Sequence, residues 1–300
     1  MRNTFVNRIL EECEKKEDIF IISGDAGYGV FDDFQKKFPD RFLNLGVAEQ
    51  NMISFAAGMA LSGMKIIIYN IIPFVLYRCY EQVRNDICYQ ELPIVLTGIG
   101  SGVTYSPQGM THYSVEDIGL CQTLPNLEVF SPIDPVEARL CAEYSLTSKN
   151  PVYIRLAKRG EPVIHKQENF DINQPQVLFE GEDIALVFHG SISEEIIEAV
   201  RILHSKNIYP KVISCCKIQP FNFNEFLKIL GDIKKIIIIE EHYENCGLGA
   251  IIKKELNEVQ IITKGIKYKF IHEIYNNKGM RKFFEIDSET IVKYVENIVE

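Results

Sequence analysis

Short apolar runs that alternate with helix-like segments constrain the fold of this 300-residue chain more than any other feature. Continuous apolar strands interleaved with helices indicate parallel sheets that are covered by helices on both sides. The predicted strands are residues 19–22, 65–69, 92–97, 152–156, 184–188, 211–214 and 235–240. The pattern therefore predicts an α/β chain with open, largely parallel sheets in three-layer domains.

A change of composition divides the chain in two. Residues 160–180 are polar and are interrupted by Pro162 and Pro175, which is typical of a linker between domains. We predict one domain over residues 1–165, a linker over 166–180 and a second domain over 181–300. Helices are predicted at 81–89, 134–146, 194–205 and 223–230.

Two short features of the second half have a predicted local structure. The adjacent pair Cys215-Cys216 is expected on a strand, with one side chain on each face. Gly247 and Gly249 open a further helix. Backbone N–H groups at such a helix start can hold an anion, but the pattern favours the simpler role of the glycines, a tightly packed turn.

Charge and cysteine usage exclude several classes of protein. The net charge of -9 leaves no basic stripe to neutralise nucleic-acid phosphates. The apolar stretch 65–77 is interrupted by Asn70 and Pro73 and is too short to span a bilayer. No secretory signal is visible, and none of the eight cysteines has zinc-ligand spacing. We therefore expect a cytoplasmic protein with reduced thiols, no metal site of its own, and no contact with nucleic acid or membranes.

Glu49 is the most unusual residue of the first domain. It lies in the apolar, glycine-flanked turn Leu45-Gly46-Val47-Ala48-Glu49, between a β-like run and a predicted helix. A carboxylate in the first helical turn interacts favourably with the helix dipole. If it is buried there, it also needs a specific hydrogen-bond donor.

The turn around Glu49 resembles the Gly-x-x-Glu turn in the pyrimidine-binding domain of the transketolase family of thiamine diphosphate enzymes. Further matching stretches follow in the family's order and at roughly its spacing. They are residues 78–83, 109–112, 124–127, 131–137 and 151–155. The resemblance covers most of residues 1–165 and continues more faintly to the C-terminus, where it implies a transketolase C-terminal-like domain.

The resemblance implies roles for several residues at the cofactor. Glu49 would bond N1′ of the aminopyrimidine, which favours the tautomer that takes the proton from the thiazolium C2. Phe74 would stack on the aminopyrimidine, although strict alignment places Val75 there, and Tyr77 lies in the same loop. Asp25 corresponds to an acidic residue near the thiazolium.

The resemblance also implies a substrate site. His112, in Gly109-Met110-Thr111-His112, matches a histidine that binds substrate oxygens and can relay protons. Gln108 stands where transketolases usually carry an acid that recognises a sugar hydroxyl. Arg78 faces either a substrate phosphate or Glu81. Arg155 would bind a substrate phosphate or, alternatively, form a structural salt bridge. Lys158 and Arg159 would add positive charge nearby.

The diphosphate end of the cofactor has no match in this chain. Neither Gly24-Asp25-Ala26 nor Gly231-Asp232-Ile233 fits the Gly-Asp-Gly signature of the magnesium site. The chain therefore resembles the C-terminal half of a transketolase. This implies an N-terminal partner subunit that supplies the diphosphate-binding domain and the Mg²⁺ ligands, in an α2β2 heterotetramer that is active only when assembled.

The leading hypothesis is a thiamine diphosphate-dependent transketolase subunit that transfers a two-carbon ketol unit between sugars, most simply sugar phosphates. Three alternatives remain open: the β subunit of a 2-oxo acid dehydrogenase, a condensing enzyme like 1-deoxyxylulose-5-phosphate synthase, and a cofactor-free scaffold. The last conflicts with the presence of both Glu49 and His112. The dehydrogenase conflicts with the basic run 154–159, where such chains tend to be acidic.

Overall fold

The computed structural model describes residues 1–158 and 160–299. The strands are β1 (Ile19–Ser23), β2 (Phe42–Asn44), β3 (Lys65–Ile71), β4 (Val95–Ile99), β5 (Glu128–Phe130), β6 (Val152–Leu156), β7 (Gln176–Phe179), β8 (Ala185–Phe188), β9 (Lys211–Ser214), β10 (Lys217–Gln219), β11 (Lys235–Tyr243) and β12 (Gln260–Ile266). The helices are α1 (Arg2–Cys13), α2 (Asp32–Lys37), α3 (Glu49–Leu61), α4 (Tyr80–Gln82), α5 (Asp117–Cys121), α6 (Pro135–Thr147), α7 (Ser193–Ser205), α8 (Phe223–Leu230), α9 (Leu248–Glu255), α10 (Asn277–Phe283) and α11 (Ser288–Val299). Within these two ranges, every helix is too short or too polar to cross a lipid bilayer.

The strands form two sheets, and both are mostly parallel. The first has the order β10-β5-β6-β4-β3-β1-β2, and only its terminal strand β10 pairs antiparallel, with β5. The second has the order β12-β11-β8-β9-β7, and only β7 pairs antiparallel, with β9. The predicted α/β class with two open, largely parallel sheets is confirmed.

Most predicted elements agree with the structure to within one or two residues. β4 begins at Val95 rather than at residue 92, because Pro93 has no N–H to donate to a neighbouring strand. The predicted helix 81–89 is α4 followed by a π-helical turn over Val83–Cys88. The helices α6, α7 and α8 follow their predicted ranges, with Pro135 in the first turn of α6.

Four strands lie where the sequence predicted none: β5, β7, β10 and β12. β7 falls inside the predicted linker 166–180 and pairs with β9, so this part of the linker belongs to the second sheet. β10 follows closely after β9, yet it pairs with β5 at the edge of the first sheet. Cys215 and Cys216 were predicted on a strand, but they occupy the connection between these two strands. Their side chains nevertheless enter different apolar clusters.

One cluster of apolar side chains extends through both halves. Along β3, Ile66 and Ile68 enter one cluster of buried side chains, whereas Ile67 enters another, because successive side chains of a strand point to opposite faces. The cluster of Ile66 and Ile68 also contains Val187 of β8 and Ile238 of β11. Apolar packing therefore continues from the first sheet into the second.

The parallel strands deliver several predicted site residues to one edge of the first sheet. Glu49 follows β2, Phe74 follows β3, and His112 lies in the long connection after β4. Lys158 follows β6. Ligands of open α/β sheets bind at the carboxyl ends of the strands. The topology thus predicts the site at this edge.

Asp134 links the connection between the two halves to the start of α6 through hydrogen bonds. Its Oδ1 accepts from the backbone N–H of Glu137 at 2.9 Å, which caps the helix. Its Oδ2 accepts from the N–H groups of Ile164 and His165 at 2.9 and 2.8 Å. One buried carboxylate therefore satisfies three backbone donors from two segments.

We expect Asp134→Ala to lower the free energy of unfolding by about 3 kcal/mol, because it removes a helix cap and leaves buried N–H groups unpaired. Asn276→Ala is the matched control, since Asn276 caps α10 through one bond to Gly279 N and its loss costs about 1 kcal/mol. Urea unfolding of both variants measures the difference. An equal loss of unfolding free energy in the two variants would contradict the role of Asp134 in linking the two segments.

Candidate functional site

Glu49 is the first residue of α3, and it is buried, with 3% of its surface exposed. Gly46 adopts the left-handed conformation (φ +69°) that turns the chain from β2 into this helix. The Oε2 atom of Glu49 accepts a hydrogen bond from Nη1 of Arg78 at 2.9 Å. Both expectations for Glu49 are therefore met together: it occupies a helix start, and it is buried with a specific donor.

Asn44 joins the Glu49 turn to the turn that contains Asp25. Its Oδ1 accepts from the backbone N–H groups of Asp25 and Gly46, each at 2.9 Å. Asp25 itself is exposed, and its carboxylate accepts from the hydroxyl of Tyr28. The structure thus places Asp25 at the same edge as Glu49, and its role at a thiazolium stays a prediction. Sequence reasoning missed Asn44, whose position at the end of β2 was the available signal.

Phe74 and Val75 face different surroundings. Both lie in the π-helical turn Pro73–Tyr77. Val75 is fully buried in the core, whereas Phe74 is only half-buried and meets the ring of His112 edge-on, with 5.4 Å between ring centroids. The guanidinium carbon of Arg78 lies 4.5 Å from the centroid of the Phe74 ring. Phe74 is therefore the aromatic residue that the structure brings together with Glu49, Arg78 and His112.

His112 stands in a short 3-10 turn, Met110–His112. Its Nδ1 lies 2.9 Å from the hydroxyl of Thr111, and its partial burial lowers the pKa of the imidazole from 6.5. A lowered pKa keeps the ring neutral near pH 7, where it can both donate and accept a hydrogen bond. Gln108 is exposed four positions earlier, and its part in substrate recognition stays a prediction.

Lys158 is the cation after β6 that reaches this site. Its Nζ lies 4.6 Å from the centroid of the Tyr105 ring, and that ring lies 6.1 Å from the ring of His112. The sequence predicts Lys158 only as added positive charge, and Tyr105 is not among the predicted site residues. Arg159 lies outside the described residues.

The expectation that Arg155 binds substrate is wrong, and its alternative, a structural salt bridge, is confirmed. Arg155 is fully buried, and its Nε donates to Asp117 at 2.7 Å. Its Nη2 donates to the carbonyl groups of Ser114 and Glu241, at 2.8 and 3.1 Å. The guanidinium therefore fastens the connection that carries His112 to the second domain, and a dissolved substrate has no access to it.

Tyr77 and Arg78 also differ from expectation. The hydroxyl of Tyr77 donates to Glu116 at 3.3 Å and its ring packs against the core, so Tyr77 points into the interior rather than to the Glu49 carboxylate. Arg78 was expected to meet a phosphate or Glu81, but it pairs with Glu49. The signal for this pair was that a buried carboxylate needs a donor.

Of the two roles considered for Gly247 and Gly249, the structure shows the tightly packed turn, and the only anion at this helix start that it describes is a side chain of the chain itself. The N–H groups of Leu248 and Gly249 donate to the carboxylate of Glu240, at 2.7 and 3.1 Å. Burial raises the pKa of Glu240 to about 7. The start of α9 is therefore an internal contact. Among the residues described, no group of three or more His, Cys, Asp or Glu could hold a metal ion.

Comparisons with known proteins cover both halves of the chain. Residues 1–161 match the family model of the transketolase pyrimidine binding domain, and residues 174–291 match that of the transketolase C-terminal domain. The chain is 33% identical over 298 residues to an apulose-4-phosphate transketolase subunit from Actinobacillus succinogenes, and this covers 97% of the chain and 96% of the relative.

Two further similarities bear on how the chain is organised. It is 30% identical over 296 residues to the 1-deoxy-D-xylulose-5-phosphate synthase of Caldanaerobacter subterraneus, which covers 96% of the chain and 47% of that relative. A solved structure described as the inactive beta4 tetramer of a split-gene transketolase superposes with a TM-score of 0.86 at 25% identity. The superposition covers 99% of this chain and 97% of the chain in that solved structure.

We expect Arg155→Met to lower the free energy of unfolding by about 3 to 5 kcal/mol, because the buried carboxylate of Asp117 would lose its ion-pair partner. Lys158→Met, three residues later, should change the free energy of unfolding by no more than about 0.5 kcal/mol, since Lys158 forms no ion pair with a buried carboxylate among the described residues. Chemical denaturation of both variants provides the measurement. A stable Arg155→Met protein would show that the buried pair is not structural.

Proposed function

The chain belongs to the transketolase family, and from this premise we propose that it is the subunit of a split transketolase that holds the aminopyrimidine end of thiamine diphosphate. The proposal rests mainly on one observation: Glu49, Phe74 and His112 belong to one cluster at the carboxyl edge of the first sheet. Arg78 contacts both Glu49 and Phe74, and the ring of Phe74 meets the ring of His112. The cluster fits the aminopyrimidine because it combines a buried carboxylate acceptor with a partly exposed aromatic ring.

Each residue of the cluster has a distinct proposed task. Bound thiamine diphosphate supplies a nucleophilic carbon and an electron sink for breaking the bond next to a carbonyl group. Glu49 would form a hydrogen bond with N1′ of the aminopyrimidine and hold a proton between its carboxylate and that nitrogen, in surroundings that exclude water. Phe74 would cover one face of the ring. The neutral imidazole of His112 would hold or move a proton at a substrate oxygen.

The substrates that we propose are phosphorylated sugars, between which a two-carbon ketol unit is transferred. Lys158 provides a cation near His112 for a phosphate group. Gln108 offers a neutral amide where an acid is usual, which favours a sugar other than the central pentose phosphates. The name of the relative from Actinobacillus succinogenes, which specifies apulose 4-phosphate, supports a specialised phosphosugar.

We propose that a partner subunit completes the active site and contributes the diphosphate-binding domain and the Mg²⁺ ligands, as an α2β2 heterotetramer. Val47 and Phe55, on either side of Glu49 along the chain, expose 72% and 40% of their surface, and Leu61 at the end of α3 exposes 64%. These exposed apolar side chains next to and along α3 support the proposal that another chain covers this helix.

A second candidate function is the condensation carried out by 1-deoxyxylulose-5-phosphate synthase. The similarity to such an enzyme over 96% of this chain favours it. The products that the assembled complex releases distinguish these activities. Consumption of a donor ketose without carbon dioxide supports ketol transfer. Decarboxylation of pyruvate with a triose phosphate acceptor supports the condensation, and decarboxylation with a lipoyl acceptor supports a dehydrogenase.

We expect Glu49→Gln in the assembled complex to slow exchange of the thiazolium C2 proton by at least about 100-fold, because the amide cannot hold the proton at N1′. Assembly should persist, as the change is isosteric. Exchange into heavy water, followed by NMR, gives the rate. Glu81→Gln, at an exposed position of α4, is the matched control and should exchange like the unaltered protein. Unchanged exchange in Glu49→Gln would refute the assignment.

The purified chain alone, supplied with thiamine diphosphate and Mg²⁺, should show no ketol transfer, and adding the diphosphate-binding subunit should restore it. A coupled assay of aldose phosphate release measures both states. Sedimentation of the mixture checks that the two chains associate. Robust turnover by the isolated chain would contradict the shared active site.

A further inference from the structure

Arg78 makes two contacts at once in the proposed cofactor site. Its guanidinium donates to Oε2 of Glu49 at 2.9 Å, and it lies 4.5 Å above the centroid of the Phe74 ring. The backbone carbonyl of Arg78 is held separately, by the side chain of Gln50 at 3.3 Å. The side chain of Arg78 is 45% exposed, whereas that of Glu49 is 4% exposed.

These two contacts have the same chemistry as the contacts proposed for the aminopyrimidine. A guanidinium is planar, donates hydrogen bonds in its plane and stacks on aromatic faces. An aminopyrimidine that bonds Glu49 and stacks on Phe74 is likewise planar and bonds in its plane. Both groups therefore compete for one acceptor and one ring.

We propose that Arg78 is an intramolecular placeholder, which occupies the aminopyrimidine position in the empty site and leaves it when thiamine diphosphate binds. The inference rests on the proposed function. Arg78 is a positioning residue: it gives buried Glu49 a donor while the site is empty, which spares the chain an uncompensated carboxylate. Its exposed side chain can rotate outward while Gln50 still holds its backbone.

A placeholder weakens cofactor binding, because the ligand can enter only when the competing side chain is displaced. This distinguishes it from the other roles open to an arginine here. If Arg78 bound a substrate phosphate, its loss would alter the KM for the sugar and leave cofactor affinity unchanged. If Arg78 stayed on Glu49 beside the bound cofactor, its loss would weaken cofactor binding.

The test is isothermal titration calorimetry of thiamine diphosphate, with excess Mg²⁺, into the assembled complex. We expect Arg78→Met to lower the Kd about fivefold, the scale of one partly exposed ion pair. Arg84→Met is the matched control, because Arg84 lies in the next helical turn and its side chain bonds to that of Asn85. Its Kd should equal that of the unaltered complex.

Arg78→Lys guards against a folding defect, because it keeps a cationic donor for Glu49 and loses only the planar stacking. Its Kd should fall about twofold, as the weaker competitor is more easily displaced. An unchanged or raised Kd in both Arg78 variants would overturn the placeholder. If the unaltered complex binds no thiamine diphosphate, the proposed function itself fails, so the two failures are distinguishable.

Discussion

The burial of Glu49 is the constraint on which the rest of the site depends. A carboxylate at the start of a helix and almost without exposure is stable only with a donor. In the isolated chain Arg78 is that donor, and it reaches Glu49 because the turn after β3 lies beside the start of α3. The ring of Phe74 lies against Arg78 and also meets the ring of His112, so one continuous set of contacts joins the four residues.

The second domain contributes to this site from the interior. Arg155 links Asp117, Ser114 and Glu241, which joins the connection that carries His112 to the end of β11. Two further hydrogen bonds join the same connection to β11. The N–H of Ile118 donates to His242, and the N–H of Tyr243 donates to the carbonyl of Val115 at 2.8 Å. The position of His112 thus depends on packing between the domains, although its ring contacts Phe74 and Tyr105 of the first domain.

Local sequence patterns were sufficient for the helices α6, α7 and α8 and for most of the long apolar strands. They were insufficient for β10, because its partner β5 lies far away in the sequence and the pairing crosses the domain boundary. The wrong expectation for Arg155 has a related cause. Arg155 lies near the end of β6 and Lys158 follows that strand, so the sequence leads both cations to the same edge of the sheet. Only three-dimensional packing decides that Arg155 enters the core while Lys158 reaches Tyr105.

A structure of the assembled complex with thiamine diphosphate tests the central claim most directly, because it locates the aminopyrimidine. Our account predicts N1′ within hydrogen-bond distance of a carboxylate oxygen of Glu49, about 2.6 to 3.2 Å, with the ring of Phe74 against the pyrimidine. An aminopyrimidine held by the partner chain, or bound to this chain without a contact to Glu49, would contradict it.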